Sequence, residues 1–289
     1  MRAIRRDMAG GFLKLLFAAA ISLPSLLSPS LAGAAEAPAA TSSPAYADLA
    51  DLADSAQLVV RAQVRKISRV EDERAPGLRP GWARYYVEAR TQALLTGRSA
   101  QGETLVYLAD VPLDARGKPP KIKKQDVLLF ARPARGRPGE LQLVSPDAQI
   151  LWSPAIEAKL RPILTELVAA DAPGKVSGVR EIIHVPGNLA GAGETQIFLS
   201  TEDGSAASIT VQHQPGSPPA WGASFSELIA EVGNPPKRDT LAWYRLACFL
   251  PQTPLPTANL SETATSRAQA EADYRMVLDQ LGPCGRTRK

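Results

Sequence analysis

The sequence predicts an α+β protein: five short strands closed by a helix, then a smaller unit of three strands and three helices. Three observations carry this expectation. Residues 126–132 (DVLLFAR) set five apolar side chains in a row between polar neighbours. That run is too short for an ordinary helix and right for a strand buried on both faces. Residues 57–67 and 84–94 alternate apolar with polar side chains, the period of half-buried strands. Residues 153–168 open with Ser153-Pro154 and place Ile156, Leu160, Ile163, Leu164, Leu167 and Val168 at helical spacing.

In chain order, residues 1–34 read as an export signal. Arg2, Arg5, Arg6 and Lys14 form a basic start, residues 15–27 are mostly apolar, and Ala32 and Ala34 fit the small-residue cleavage rule. Residues 35–45 are Ala-, Pro- and Ser-rich and read as a disordered lead-in. Residues 46–56 (YADLADLADSA) read as a short helix. Its Asp48, Asp51 and Asp54 read as a solvated face, since the Gly-turned pattern of a calcium loop is absent. Strands follow over 57–67, 84–94, 103–109, 126–131 and 140–145, with a hairpin turn at Arg137-Pro138-Gly139. The helix from Ser153 closes this unit, set at 46–172.

The second unit, 173–289, begins with a strand over 179–185. Strands over 195–200 and 207–213 flank the turn Glu202-Asp203-Gly204-Ser205. Ser224 and Glu227 fit a capping box for a helix running to Val232. Further helices are expected over 239–250 and 266–281, the last stopped by Gly282-Pro283.

The strand pattern of residues 47–170 resembles oligonucleotide/oligosaccharide-binding (OB-like) barrels and the netrin/TIMP-like modules of exported proteins. The likeness rests on the entry 55–60 (SAQLVV), a long second strand, the late VLLF strand and the closing helix. It implies a small closed barrel. No functional motif carries over. The region departs from those modules in having no cysteine and a Pro- and Lys-rich gap at 110–125.

Charge narrows the function. The whole chain carries 33 basic and 29 acidic residues. Residues 1–34 hold four and one of these, so the exported chain would have 29 and 28, a net charge of +1. Global basicity is thus no argument for nucleic acid. The local signal is a basic run: between residues 116 and 137 there are eight basic side chains against one acid, Asp126. Lys118, Lys121, Lys123, Lys124, Arg135 and Arg137 are the candidate anion-binding residues, expected to converge at one rim of the barrel. No stacking aromatics are interleaved with them, so nucleic acid is not expected; an anionic polymer such as polysaccharide, a lipid headgroup or an acidic protein fits better.

Catalytic and metal signals are weak. His184, His213, Cys248 and Cys284 show no zinc-ligand spacing, and no metal or cofactor is expected. Both histidines read as structural or surface residues. Residues 187–193 lack the ending of a phosphate loop and read as a flexible loop. The chain's only cysteines, Cys248 and Cys284, are expected to form a disulfide in an oxidising compartment. The reading is an exported, non-enzymatic binding module of the periplasm or beyond. The alternatives are a cell-envelope hydrolase using Ser200, Ser208 and the histidines of the second half, and a purely structural envelope protein.

Overall fold

A computed structural model describes residues 43–98, 102–228 and 232–288. The expected signal segment and most of the lead-in lie outside them. The first unit is a closed five-stranded barrel, built from β1 (Leu58–Arg69), β2 (Trp82–Thr96), β3 (Thr104–Pro112), β4 (Asp126–Pro133) and β5 (Glu140–Leu143). Its order is β1-β2-β3-β5-β4, closed by β1 against β4. Every pairing is antiparallel except the seam between β3 and β5, which has two parallel rungs, Val106–Glu140 and Tyr107–Leu141. A sixth strand, β6 (Gln149–Leu151), takes over the edge of β4 that β5 leaves.

The run in β4 is buried as its composition requires: Val127, Leu128, Leu129, Phe130 and Ala131 are all fully enclosed. One edge of β4 pairs with β1 and the other with β5 and β6, while α1 (Tyr46–Ser55) packs against it. The closing helix, α2 (Pro154–Leu167), starts at Ser153, whose side chain accepts a hydrogen bond from the Ile156 amide. Leu160, Ile163 and Leu164 bury its apolar stripe. The gap between β3 and β4 is a loop without a helix, as its prolines suggest.

C-terminal to the barrel the described residues hold four strands and two α-helices, where three of each were expected. The strands β7 (Val176–Pro186), β8 (Gly193–Thr201), β9 (Ser208–His213) and β10 (Ala220–Ser224) form an antiparallel sheet in the order β10-β9-β8-β7. The extra strand, AWGAS, has one large β-forming residue and no alternation to announce it. Pairing with the open edge of β9 makes it a strand. It absorbs Ser224, so the capping-box residues begin no helix: 225–228 is a bend, and 229–231 lie outside the described residues. The helices are α3 (Leu241–Ala247) and α4 (Ala264–Leu281), the latter lying on β7 and β8.

Residues 43–289 form one compact unit. What ties its two ends together corrects the reading of α1. Asp48, Asp51 and Asp54 follow one side of the helix at every third position, and that side meets α3 and the C-terminal tail. Asp48 is 1% exposed. Its carboxylate accepts hydrogen bonds from the Ala45 amide (3.1 Å), the Thr287 amide (2.9 Å), the Arg288 amide (2.9 Å) and the Thr287 hydroxyl. Asp51 accepts from the Tyr244 hydroxyl at 2.6 Å and from Arg286 at 2.6 and 2.9 Å. Asp54 takes both arms of the buried Arg245, at 2.7 and 2.8 Å. Arg288 runs on to Asp147, 2.9 Å away in the turn before β6. Cys248 and Cys284 lie at disulfide distance, their sulfurs 2.08 Å apart and their Cα atoms 4.8 Å apart, which anchors the root of the same tail.

These contacts set an acid limit. Burial raises the Asp48 carboxyl, but hydrogen bonds from Thr287, Arg288 and Ala45 outweigh it and hold the group below its ordinary value of 3.8. A depressed carboxyl contributes stability that is complete above the unfolded value and lost as pH falls through the folded one. Asp48→Ala is therefore expected to lose about 2–4 kcal/mol at neutral pH, and progressively less as pH falls below 3.8. Cys284→Ser is expected to lose about 2–4 kcal/mol. Both changes free the same tail, so urea unfolding of the double variant should show a loss smaller than the sum. Strict additivity would refute the shared-tail account.

Candidate functional site

The sequence-predicted basic residues fall into two groups. Lys118, Lys121, Lys123 and Lys124 lie in the loop before β4, and Arg135 and Arg137 in the loop after it; all six are exposed. The two loops leave β4 at opposite ends. Eight strand residues separate them, a span of about 25 Å at about 3.3 Å per residue. The lysine loop stays at its own end: the Lys124 amide donates to the Val64 carbonyl at 2.8 Å, and the Val64 amide donates to the Gln125 carbonyl at 2.9 Å. An anion-binding role here thus involves two separate patches.

Arg137 stands at the mouth of a cleft of about 670 Å³ over the outer face of β2, β3 and β5. The register of β2 and β3 shapes it. Arg84 lies opposite Asp110 and Tyr86 opposite Leu108, with all four side chains on the outer face. Arg84 donates to both carboxylate oxygens of Asp110, at 2.6 and 2.9 Å, a planar two-pronged ion pair. That pairing raises the Arg84 guanidinium further above its already high range. Beside it Tyr86 is 41% and Leu108 48% exposed, two large apolar side chains in contact register on a surface strand pair. The cleft exists because β5 turns away after two rungs with β3, so Gln142 and Ser145 line a wall. At the rim Arg137 pairs with Glu140 at 3.2 Å.

A second polar group lies beneath α4. Thr195 is fully enclosed and Asp273 is 2% exposed. The Thr195 hydroxyl donates to one Asp273 oxygen. The other oxygen accepts from His213 Nε2 at 2.8 Å and from Gln269 Nε2 at 2.9 Å. With the Thr195 proton committed to Asp273, His184 Nδ1 donates to Thr195 Oγ1 at 2.8 Å. The His184 amide donates to Ser261 Oγ at 3.0 Å. His213 thus has a partner 60 residues away in α4, and His184 reaches the same carboxylate through Thr195.

This group resembles an acid–base relay in composition; its Thr195 and Asp273 are buried, while the His213 side chain is 17% exposed. None of the clefts described includes His184, Thr195, His213 or Asp273. The serines of the hydrolase alternative do not join it. Ser208 is opposite Phe198 and His213 opposite Gly193, five rungs apart along β9, or about 17 Å. Asp203 accepts from the amide and hydroxyl of Ser205 within its own hairpin turn. Residues 187–192 close the β7–β8 hairpin through the Gly187 amide and the Ala192 carbonyl. Among the described residues, no three His, Cys, Asp or Glu side chains are arranged to hold a metal ion. No described helix is long and apolar enough to cross a membrane.

Comparison of the chain with protein-family models finds no match, and comparison with curated proteins finds none either.

The histidine group has a pH signature. Burial depresses the His184 imidazole, Asp273 pulls it back up, and His213 pushes it down; the net is below the ordinary 6.5. Below that value the unfolded chain binds the proton first, so His184 contributes stability that is complete above about pH 6.5 and falls on acidification. Its ring also lies against Gly193, where an added Cβ would meet His184 Cε1 at 2.8 Å and the Val185 carbonyl at 3.1 Å. Gly193→Ala is expected to displace the ring, lose about 1–3 kcal/mol and return the His184 titration, followed by NMR, toward 6.5. An unshifted titration curve in a folded variant would show that the contact does not hold the ring.

Proposed function

We propose that the protein is an exported, non-enzymatic binding module whose barrel cleft seats a segment of anionic polysaccharide. The observation that supports this reading is the exposed Tyr86–Leu108 pair beside the Arg84–Asp110 pair. Sugar rings have an apolar face and a hydroxyl edge. A half-exposed tyrosine ring suits the face. The planar ion pair offers donors and acceptors, already fixed in place, to the edge. Exposed Arg137, with Arg135 next to it on the same hairpin loop, supplies positive charge for the acidic groups. About 670 Å³ lies within the size range of small-ligand sites. By analogy with small barrels of this strand order, the face of the second and third strands is also where chain ligands lie.

The chemistry of the second half favours binding over hydrolysis. Among the described residues the hydroxyl that meets both a histidine and a carboxylate is that of Thr195, which is buried and engaged on both sides. A nucleophile needs an open approach for its substrate.

Titration of the protein with tetrasaccharides derived from alginate or heparin tests the proposal. Amide shifts are expected on β2, β3 and β5, and Tyr86→Ala should weaken binding by about three- to ten-fold. Raising salt should weaken it further through Arg137. Absence of shifts across both sugars, or equal affinity of the Tyr86→Ala protein, would remove this reading.

A further inference from the structure

We infer that the lysine turn at the opposite end of the barrel, residues 118–124, is a docking surface for an anionic phospholipid bilayer. The inference rests on this turn alone and is independent of the cleft. Lys118, Lys121, Lys123 and Lys124 are all exposed. The lysine ion pairs among the described residues lie elsewhere, at Lys66–Glu88 and Lys175–Glu202. The single acid within 113–125, Asp114, has an oxygen occupied by the amides of Arg116 and Lys118. Among the described residues none of these four lysines makes an ion pair, all four side chains are exposed, and neighbouring like charges repel one another.

The turn is also rigidly mounted. Ile122 is buried between its lysine neighbours and pins the loop to the barrel. The Gln125 amide donates to the Ile122 carbonyl at 2.9 Å, closing a tight turn over 122–125. Lys124 occupies its third position with φ 67°, the left-handed region where glycine or asparagine is the cheap choice. A lysine held there, against both backbone preference and charge repulsion, points to a use for its side chain.

The shape selects the partner. The turn has no aromatic residue, and none of the clefts described reaches it. A chain-like polyanion gains from a groove and from stacking faces. A protruding rigid cluster of ammonium groups with neither suits a flat charged surface, where each lysine near anionic headgroups adds about five-fold in partition.

The test is sedimentation of the mature chain with phosphatidylcholine vesicles, with and without phosphatidylglycerol. Binding is expected only with phosphatidylglycerol and should fall as salt rises. Lys121→Glu with Lys123→Glu should lose it by at least about twenty-five-fold, and Lys124→Gly by about five-fold. Lys124→Gly should also raise the melting temperature, because it relieves the left-handed backbone, so its lost binding cannot come from unfolding. Tyr86→Ala should bind vesicles as the unaltered protein does, which separates failure here from failure of the cleft reading. Vesicle binding unchanged in Lys124→Gly or in the glutamate variant would overturn the inference. So would tight binding of a soluble polyanion such as polyphosphate, in a protein that ignores phosphatidylglycerol vesicles.

Discussion

The row of aspartates on α1 is the constraint from which the rest of this structure follows. A helix of ten residues is too short to be stable by itself in water. This one persists because its apolar side buries Leu49, Leu52 and Ala53 on the core, while its acidic side binds groups from the far end of the chain. Buried carboxylates are costly unless every lone pair finds a donor. Asp48 meets that condition with two backbone amides and a hydroxyl of one neighbourhood, the tail at 287–288, while the half-buried Asp54 gives one oxygen to each arm of Arg245. The tail can reach Asp48 only if α4 ends where it does and the disulfide holds residue 284 beside residue 248. A local choice of residue in the first helix therefore determines where the last helix can sit.

Two buried polar groups in this molecule show how satisfaction separates scaffold from site. The Asp48 cluster has its carboxylate matched inside the protein, and in the second group the Asp273 oxygens and the Thr195 hydroxyl are matched in the same way. Such networks rigidify and specify a core, and they leave nothing over for a ligand. The barrel face is different. Arg84 and Asp110 satisfy each other, yet Tyr86 and Leu108 beside them keep apolar surface in water, which burial under a partner would recover. The lysine turn is left over in charge rather than in apolar area. Surplus of one kind or the other is what distinguishes these two surfaces from the saturated interior.

Much of the barrel was legible in the sequence, because a strand's pattern is local. The five-residue run of β4, the alternation in β1 and β2, and the Ser-Pro start of α2 each appear within a dozen residues. The exposed tyrosine of the cleft was legible too: Tyr86 follows Arg84 by two positions, on the same polar face of an alternating strand. Its partner Leu108 was not, since register across β2 and β3 decides which residue lies opposite. Strand β10 and the missing helix after Ser224 were hidden for a related reason. AWGAS has no strong preference of its own, and its pairing with the open edge of β9 overrides the local capping-box signal.

By itself the sequence determined every strand but β6 and β10, two long helices, the closing-helix start and the single possible cysteine pair, because propensity, period and count act over short distances. Tertiary structure alone decided what the charged residues do. It turned three aspartates expected in water into anchors, sent the lysines and Arg135 and Arg137 to opposite ends of β4, and brought Asp273 between two histidines. The physical reason is that a charge has no preferred location until its partners and its access to water are known, and both are set by elements distant in the chain.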